Sequence, residues 1–144
     1  MQKYRARFVA AGLHEGLGYM GDTYVLSALG KTWVFDLDGT VIAHNGYKDS
    51  GGERLLPGAG EFFGALPEGD MVVFITSRGE ELKEKTEEFL RGNGIPFNCV
   101  IYGAPYGERI LINDRKPSGL RTALAINTDR DVFMPERFRI DPML

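Results

Sequence analysis

No apolar run approaches the ~18 residues needed to cross a bilayer, so no membrane-spanning helix is expected. Cysteine is nearly absent. Cys99 stands alone, which excludes an internal disulfide, and no Cys/His spacing suits a zinc framework. Cys99 falls in an apolar stretch and is expected buried and inert. Histidine is scarce as well, with only His14 and His44, both isolated and expected at the surface. His44 alone follows an acidic motif closely enough to touch a ligand there. Basic charge is not in excess. Seventeen Lys and Arg against twenty Asp and Glu leave a net charge of −3, no electrostatic footprint for nucleic acid. The start carries Lys3, Arg5 and Arg7 before a short apolar stretch, a poor signal peptide, and a cytoplasmic location is expected. There is no internal repeat and no low-complexity tract.

The sequence has 144 residues, one domain by the usual size range. It is 43% apolar, with nine Phe, six Tyr and one Trp, enough for a core and too much for wholesale disorder. Nineteen glycines are nearly twice the usual share of about 7%. They fall largely between the periodic segments, in the loops where an α/β scaffold carries its chemistry.

Residues 1–30 read as an N-terminal extension, partly helical, and residues 31–144 as the catalytic unit. Lys31–Asp36 and Met71–Ile75 are short, apolar and β-rich, as strands buried in a parallel sheet are. Val41–Leu56 is polar and Gly-rich, a loop or small flap. Pro57 opens a helix that buries Phe62, Phe63 and Leu66 and stops near Pro67 and Gly69. Ser77 lies three residues before Glu80, the spacing of a capping box. Leu82, Thr86, Phe89 and Leu90 then share one helix face, with Glu81 and Lys85 paired on the solvent side and Gly92 and Gly94 at the end. Asn98–Tyr102 reads as a third strand and Arg109–Ile112 as a fourth. Thr122–Ile126 is either a strand or a helix end, and from Thr128 the tail reads as charged and irregular. Strand and helix alternate, so the expected class is α/β with a parallel sheet flanked by helices.

One motif is set aside. Gly16–Gly21 fits G-x-G-x-x-G, with acids about 20 residues on. That fingerprint needs a strand ending at its first glycine, and Gly12 breaks the preceding apolar run.

Ligands of doubly wound sheets sit beyond the carboxyl ends of the strands. There the first strand delivers Asp36-Leu-Asp-Gly-Thr40, the second Thr76-Ser77-Arg78, and the fourth Asn113-Asp114-Arg115-Lys116. Asp36, Asp38 and Asp114 would then converge, and three like charges resist joint ionisation without a counter-charge. A hard cation such as Mg²⁺ resolves this, since it takes one or two carboxylates plus waters and phosphate oxygens. Thr76, Arg78 and Lys116 add donors suited to a phosphoryl group. Together these suggest phosphoryl transfer. Ser77 is more simply a helix cap, and Arg78 divides evenly between substrate contact and solvated surface.

Trp33-Val-Phe-Asp-Leu-Asp-Gly-Thr-Val41 resembles the first motif of the haloacid dehalogenase (HAD) superfamily. Val72–Arg78 resembles its second and Ile110-Leu-Ile-Asn-Asp114 its fourth. The resemblance implies a Rossmann-like HAD fold and an aspartyl-phosphate mechanism. Asp36 would be the nucleophile, Asp38 the acid and base, and Thr76 a phosphoryl ligand. Gly39, Thr40, Ser77 and Arg78 would bind substrate. Asp36, the Asp38 carbonyl, Asn113 and Asp114 would hold Mg²⁺. Two positions depart from the family pattern. The usual third-motif lysine is missing at Gly103-Ala-Pro105, where Lys116 is the nearest substitute, ahead of Lys83, Lys85 and Arg109. Asn113 stands where an aspartate is usual.

The family often carries a cap domain, but the sixteen residues of Val41–Leu56 and the six of Gly103–Glu108 fall well short of the ~50 a domain needs. No large cap is expected, so the site stays open unless residues 1–30 or a homo-oligomer cover it. The expectation is a Mg²⁺-dependent phosphatase acting on a small-molecule phosphate ester, such as a sugar phosphate. The missing lysine keeps open a second reading, a HAD-like protein that binds a phosphorylated ligand with little turnover. A nucleotide or polynucleotide-end phosphatase is a third, and the acidic charge balance counts against it.

Overall fold

An apolar run becomes a strand only where a neighbour completes its backbone hydrogen bonds. Five runs find such neighbours among the residues described by this computed structural model, 21–48 and 51–144. They are β1 (Thr23–Leu26), β2 (Thr32–Phe35), β3 (Met71–Ile75), β4 (Cys99–Ile101) and β5 (Arg137–Ile140). Two α-helices, α1 (Ala59–Ala65) and α2 (Lys83–Gly92), accompany short 3-10 turns at Gly46–Lys48 and Glu80–Leu82. The sheet β2-β3-β4 is parallel throughout, and β1 pairs with β5 in a second small parallel sheet. The class is therefore mixed α/β, as expected. Parallel neighbours need a long crossover, and α1 and α2 lie in the β2–β3 and β3–β4 crossovers respectively.

Register decides which side chains share a face. Trp33 stands opposite Val72, and Phe35 opposite Phe74, which in turn stands opposite Val100. Phe62 and Phe63 of α1 meet this face, with ring centroids 5.2 Å from Trp33 to Phe62 and 5.0 Å from Phe35 to Phe63. Leu90 of α2, Ile95 and Phe138 of β5 join the same cluster. Both helices thus pack their apolar residues into one core. The other face of the sheet is left with Val34, Met71, Cys99 and Ile101 exposed. This corrects the expectation that these strands are buried on both sides and that Cys99 is buried. An apolar run of four or five residues does not reveal how many faces are covered.

The helices end where their sequences direct. Gly58, at φ 93, turns the chain into α1, and Leu66 leaves it in extended geometry. In α2, Thr86 and Leu90 are buried one turn apart, and Glu87 pairs with Arg91 at 3.0 Å on the solvent side. Gly94 follows with φ 69. The start of α2 differs from expectation. Ser77 caps nothing: α2 begins at Lys83, and neither it nor the 3-10 turn before it has a side-chain cap. The reason is tertiary. Gly103 and Ala104 donate to the carbonyls of Arg78 and Thr76, which holds the chain extended past Ser77.

Three further expectations are corrected. Arg109–Ile112 is no strand, and Thr122–Ile126 is neither strand nor helix; residues 102–136 carry no regular element. Ile110 and Ile112 are 82% and 90% exposed, and no described strand offers Arg109–Ile112 a ladder. The tail is not irregular throughout, since Arg137–Ile140 forms β5 with Phe138 buried. Its partner β1 lies before residue 31, and Tyr24 stacks on Phe138 at 6.0 Å. The helical expectation for residues 1–20 lies outside the described residues. No described helix is long and apolar enough to cross a membrane.

Asp70 clamps the amino end of the sheet, accepting from the Lys31 N–H at 3.0 Å and from the indole N–H of Trp33 at 2.9 Å. Asp70→Ala orphans both donors in a partly buried setting. A loss of about 1–3 kcal/mol is expected, read in urea unfolding followed by fluorescence of Trp33, the only tryptophan. A loss under half a kcal/mol would show that this clamp is not holding the strand start.

Candidate functional site

The acidic motif follows directly on β2. The carbonyl of Leu37 accepts from the N–H groups of Thr40, Val41 and Ile42 at 2.9–3.1 Å, and Gly39 donates to the Ile42 carbonyl at 2.7 Å. This turn requires φ 83 at Gly39, a conformation costly for any side chain. Leu37 points into the core, fully buried, so its two acidic neighbours project toward the site. Residues 41–43 then pair with 54–56 through Ala43 N–H to the Arg54 carbonyl and Leu56 N–H to the Val41 carbonyl. That makes the expected flap a small antiparallel hairpin, and it delivers Glu53.

Asp36 keeps a side chain 39% exposed. Its Oδ2 accepts a long bond from the Thr40 hydroxyl at 3.4 Å, and Arg109 Nη2 stands 3.8 Å from its Oδ1. Burial pushes the Asp36 carboxyl above its usual 3.8, and the charge of Asp38 adds to this, against opposing pulls from the Leu37 amide, Arg109 and Thr40. Arg109 is itself held by its own loop, with Nη1 donating to the carbonyls of Pro105 and Gly107 at 2.8 and 2.9 Å.

Asp38 is bound differently. Arg78 grips both of its oxygens, Nε to Oδ2 and Nη2 to Oδ1, each at 2.8 Å. The same guanidinium donates through Nη1 to the Thr86 hydroxyl at 2.9 Å and pairs with Glu53. Arg78 is 5% exposed. Burial would lower its pKa, yet the bonds to Asp38 and the charge of Glu53 outweigh that and raise it. It is therefore a buried ion-pair centre, neither of the two readings its sequence position offered. Thr76 is 1% exposed, and its hydroxyl accepts from the Arg78 N–H at 3.0 Å. Ser77 is half-buried beside it.

The structure thus gathers Asp36, Asp38, Gly39, Thr40, Thr76, Ser77 and Arg78 at the carboxyl ends of β2 and β3. Asn113, Asp114 and Lys116 are instead exposed on the long loop, where Lys116 starts a turn with its N–H on the Leu120 carbonyl. The missing fourth strand explains this, because no ladder carries Asn113 and Asp114 toward Asp36. Among the described residues no three Asp, Glu, His or Cys side chains lie close enough to hold a metal ion. Of the set expected for Mg²⁺, Asp36 and Asp38 stand together at the acidic turn while Asn113 and Asp114 are exposed on the long loop; the positive group beside Asp36 is Arg109.

Sequence reasoning ranked Arg109 behind Lys116 and missed Glu53 and Asp131. Asp131, at φ 63, donates its N–H to the Gly39 carbonyl at 2.8 Å and accepts from the His44 N–H at 2.7 Å, pinning the long loop onto the acidic turn. No local pattern marks these residues, since each acts across more than ten positions of chain. Two surface hollows lie elsewhere, one along the charged side of α2 and one lined by Leu66, Val72 and Phe97. Comparison of the chain with protein-family models, curated proteins and solved structures returns no match.

Proposed function

We propose that the pole around Asp36 hydrolyses a small phosphate monoester through an aspartyl-phosphate, on a Rossmann-like fold of HAD type. The observation that carries this reading is the pairing at Asp36: an accessible, destabilised carboxylate with the Thr40 hydroxyl and the Arg109 guanidinium alongside. Such a carboxylate is a nucleophile, and a guanidinium with a hydroxyl is a good receiver of phosphoryl oxygens. An Asp36 oxygen bonds to phosphorus as the ester P–O bond breaks, and the leaving oxygen takes a proton from Asp38. Water then attacks the acyl phosphate, returns a proton to Asp38 and releases phosphate from Asp36. Arg78 takes one lone pair on each Asp38 oxygen, so the proton is carried on the remaining lone pair of one of them. For magnesium, which the resemblance implies, the described residues offer no group of three Asp, Glu, His or Cys side chains; Asp36 and the Asp38 carbonyl would be its nearest ligands.

The test is release of phosphate from 4-nitrophenyl phosphate and from a panel of sugar phosphates, with and without Mg²⁺. Arg109→Ala is expected to lower turnover about 10²-fold, the usual effect of removing one donor to developing charge, while Lys116→Ala leaves it within about twofold. The reverse ranking would transfer the role to Lys116. A second reading, binding of a phosphorylated ligand without turnover, is favoured by the double grip of Arg78 on Asp38. Saturable calorimetric binding of the same esters with no phosphate release would establish it.

A further inference from the structure

Arg78 touches three separate parts of the chain: the acidic turn through Asp38, the flap through Glu53 and α2 through Thr86. Its side chain and that of Glu53 are 2% and 4% exposed. A guanidinium is a rigid planar fork with five donors, so where it sits fixes the directions of its partners. Glu53 immediately precedes the residues that close the flap hairpin, Arg54 through its carbonyl and Leu56 through its N–H. One buried cation between two carboxylates also makes each anion depend on the other for its place, because loss of either changes the charge balance around the fork.

We propose that Arg78 is a positioning residue that links the seating of the flap to the orientation of Asp38, so that both move as one unit. This rests on the reading above only in taking Asp38 as part of the reacting pole. A ligand that presses on or lifts the flap would thereby alter the aim of Asp38 without touching it.

The test pairs activity with a structural readout in the full chain. Hydrogen exchange is measured at the Ala43 and Leu56 amides, which close the hairpin, in wild type, Glu53→Gln, Asp38→Asn and the double variant. Linkage predicts that Asp38→Asn speeds exchange at both amides as Glu53→Gln does, about tenfold, and that the double variant is no faster than the faster single one. Unchanged flap exchange in Asp38→Asn, or strictly multiplicative effects, would overturn the proposal. In the assay, Glu53→Gln is expected to lower kcat about 10- to 100-fold, the range for a misaimed group, with KM within about twofold. A loss confined to KM would also overturn it. Arg78→Lys keeps the charge but not the fork, and is expected to speed flap exchange as Asp38→Asn does; wild-type flap exchange in Arg78→Lys would overturn the proposal by reducing Arg78 to a simple counter-charge. If wild type shows no turnover with any ester, the phosphatase reading fails while the exchange comparison still decides the linkage.

Discussion

Asp36→Asn is expected to lower phosphate release from 4-nitrophenyl phosphate by at least ~10³-fold, as loss of a nucleophile does, while making the folded protein more stable at neutral pH. The amide keeps the shape of the side chain and its contact with the Thr40 hydroxyl, but its oxygen does not form an acyl phosphate. The stability effect follows from the raised pKa of Asp36, whose first cause is burial. Between the usual 3.8 and the higher folded value, the native state binds a proton that the unfolded chain has released. Wild-type stability therefore falls as pH rises through that window and stays reduced above it. The asparagine variant carries no such cost. Its melting temperature should exceed that of wild type at pH 7, and the gap should close as pH falls toward 3.8. Retained turnover would remove Asp36 as nucleophile. A variant less stable than wild type at pH 7 would mean that attraction to Arg109, at 3.8 Å, outweighs the burial of the charge.

Phe63→Ala is expected to cost about 3–5 kcal/mol, the usual range for a fully buried aromatic. Phe63 is 2% exposed and lies among four rings: Phe35 at 5.0 Å, Phe62 at 5.4 Å, Phe74 at 5.7 Å and Phe133 at 6.2 Å. Those rings come from β2, α1, β3 and the long segment before β5, so the cavity would open where four parts of the chain meet. They cannot all collapse into it, because Phe35 and Phe74 are fixed by the β2–β3 register. The urea midpoint should fall with little change in slope. Catalysis should weaken too, since Phe35 is the residue from which the Asp36 turn departs. Phe97, half-buried at the edge of the same cluster, should cost clearly less when cut to alanine. A loss under ~1 kcal/mol at Phe63 would contradict its central place.

The parts legible in advance were those that depend on neighbours in sequence. β2 and β3 were readable as short apolar runs, the buried Phe62 and Phe63 from their place after Pro57, and the Thr86–Leu90 face of α2 from its period. The Asp36–Thr40 turn was readable because Gly39 supplies a backbone angle that few other residues adopt. Ser77 misled, since a capping box is a local pattern while its surroundings are pulled straight by Gly103 and Ala104. Arg109–Ile112 misled for a related reason: it has the composition of a strand, but a strand exists only with a partner.

By itself, then, the order of residues determined which segments could be strands or helices, where the acidic turn falls and which carboxyl, hydroxyl and cationic side chains flank it. Tertiary structure alone decided that β1 and β5 pair across more than a hundred residues, that the described residues leave Val34, Met71 and Ile101 of the sheet exposed, and that Arg109 rather than Lys116 reaches Asp36. It also turned Arg78 inward to hold Asp38, Glu53 and Thr86 together. The division has a physical cause. Helix period and turn geometry are set by bonds within a few residues, whereas ladders, buried ion pairs and the reach of a long side chain are set by whatever the fold brings alongside.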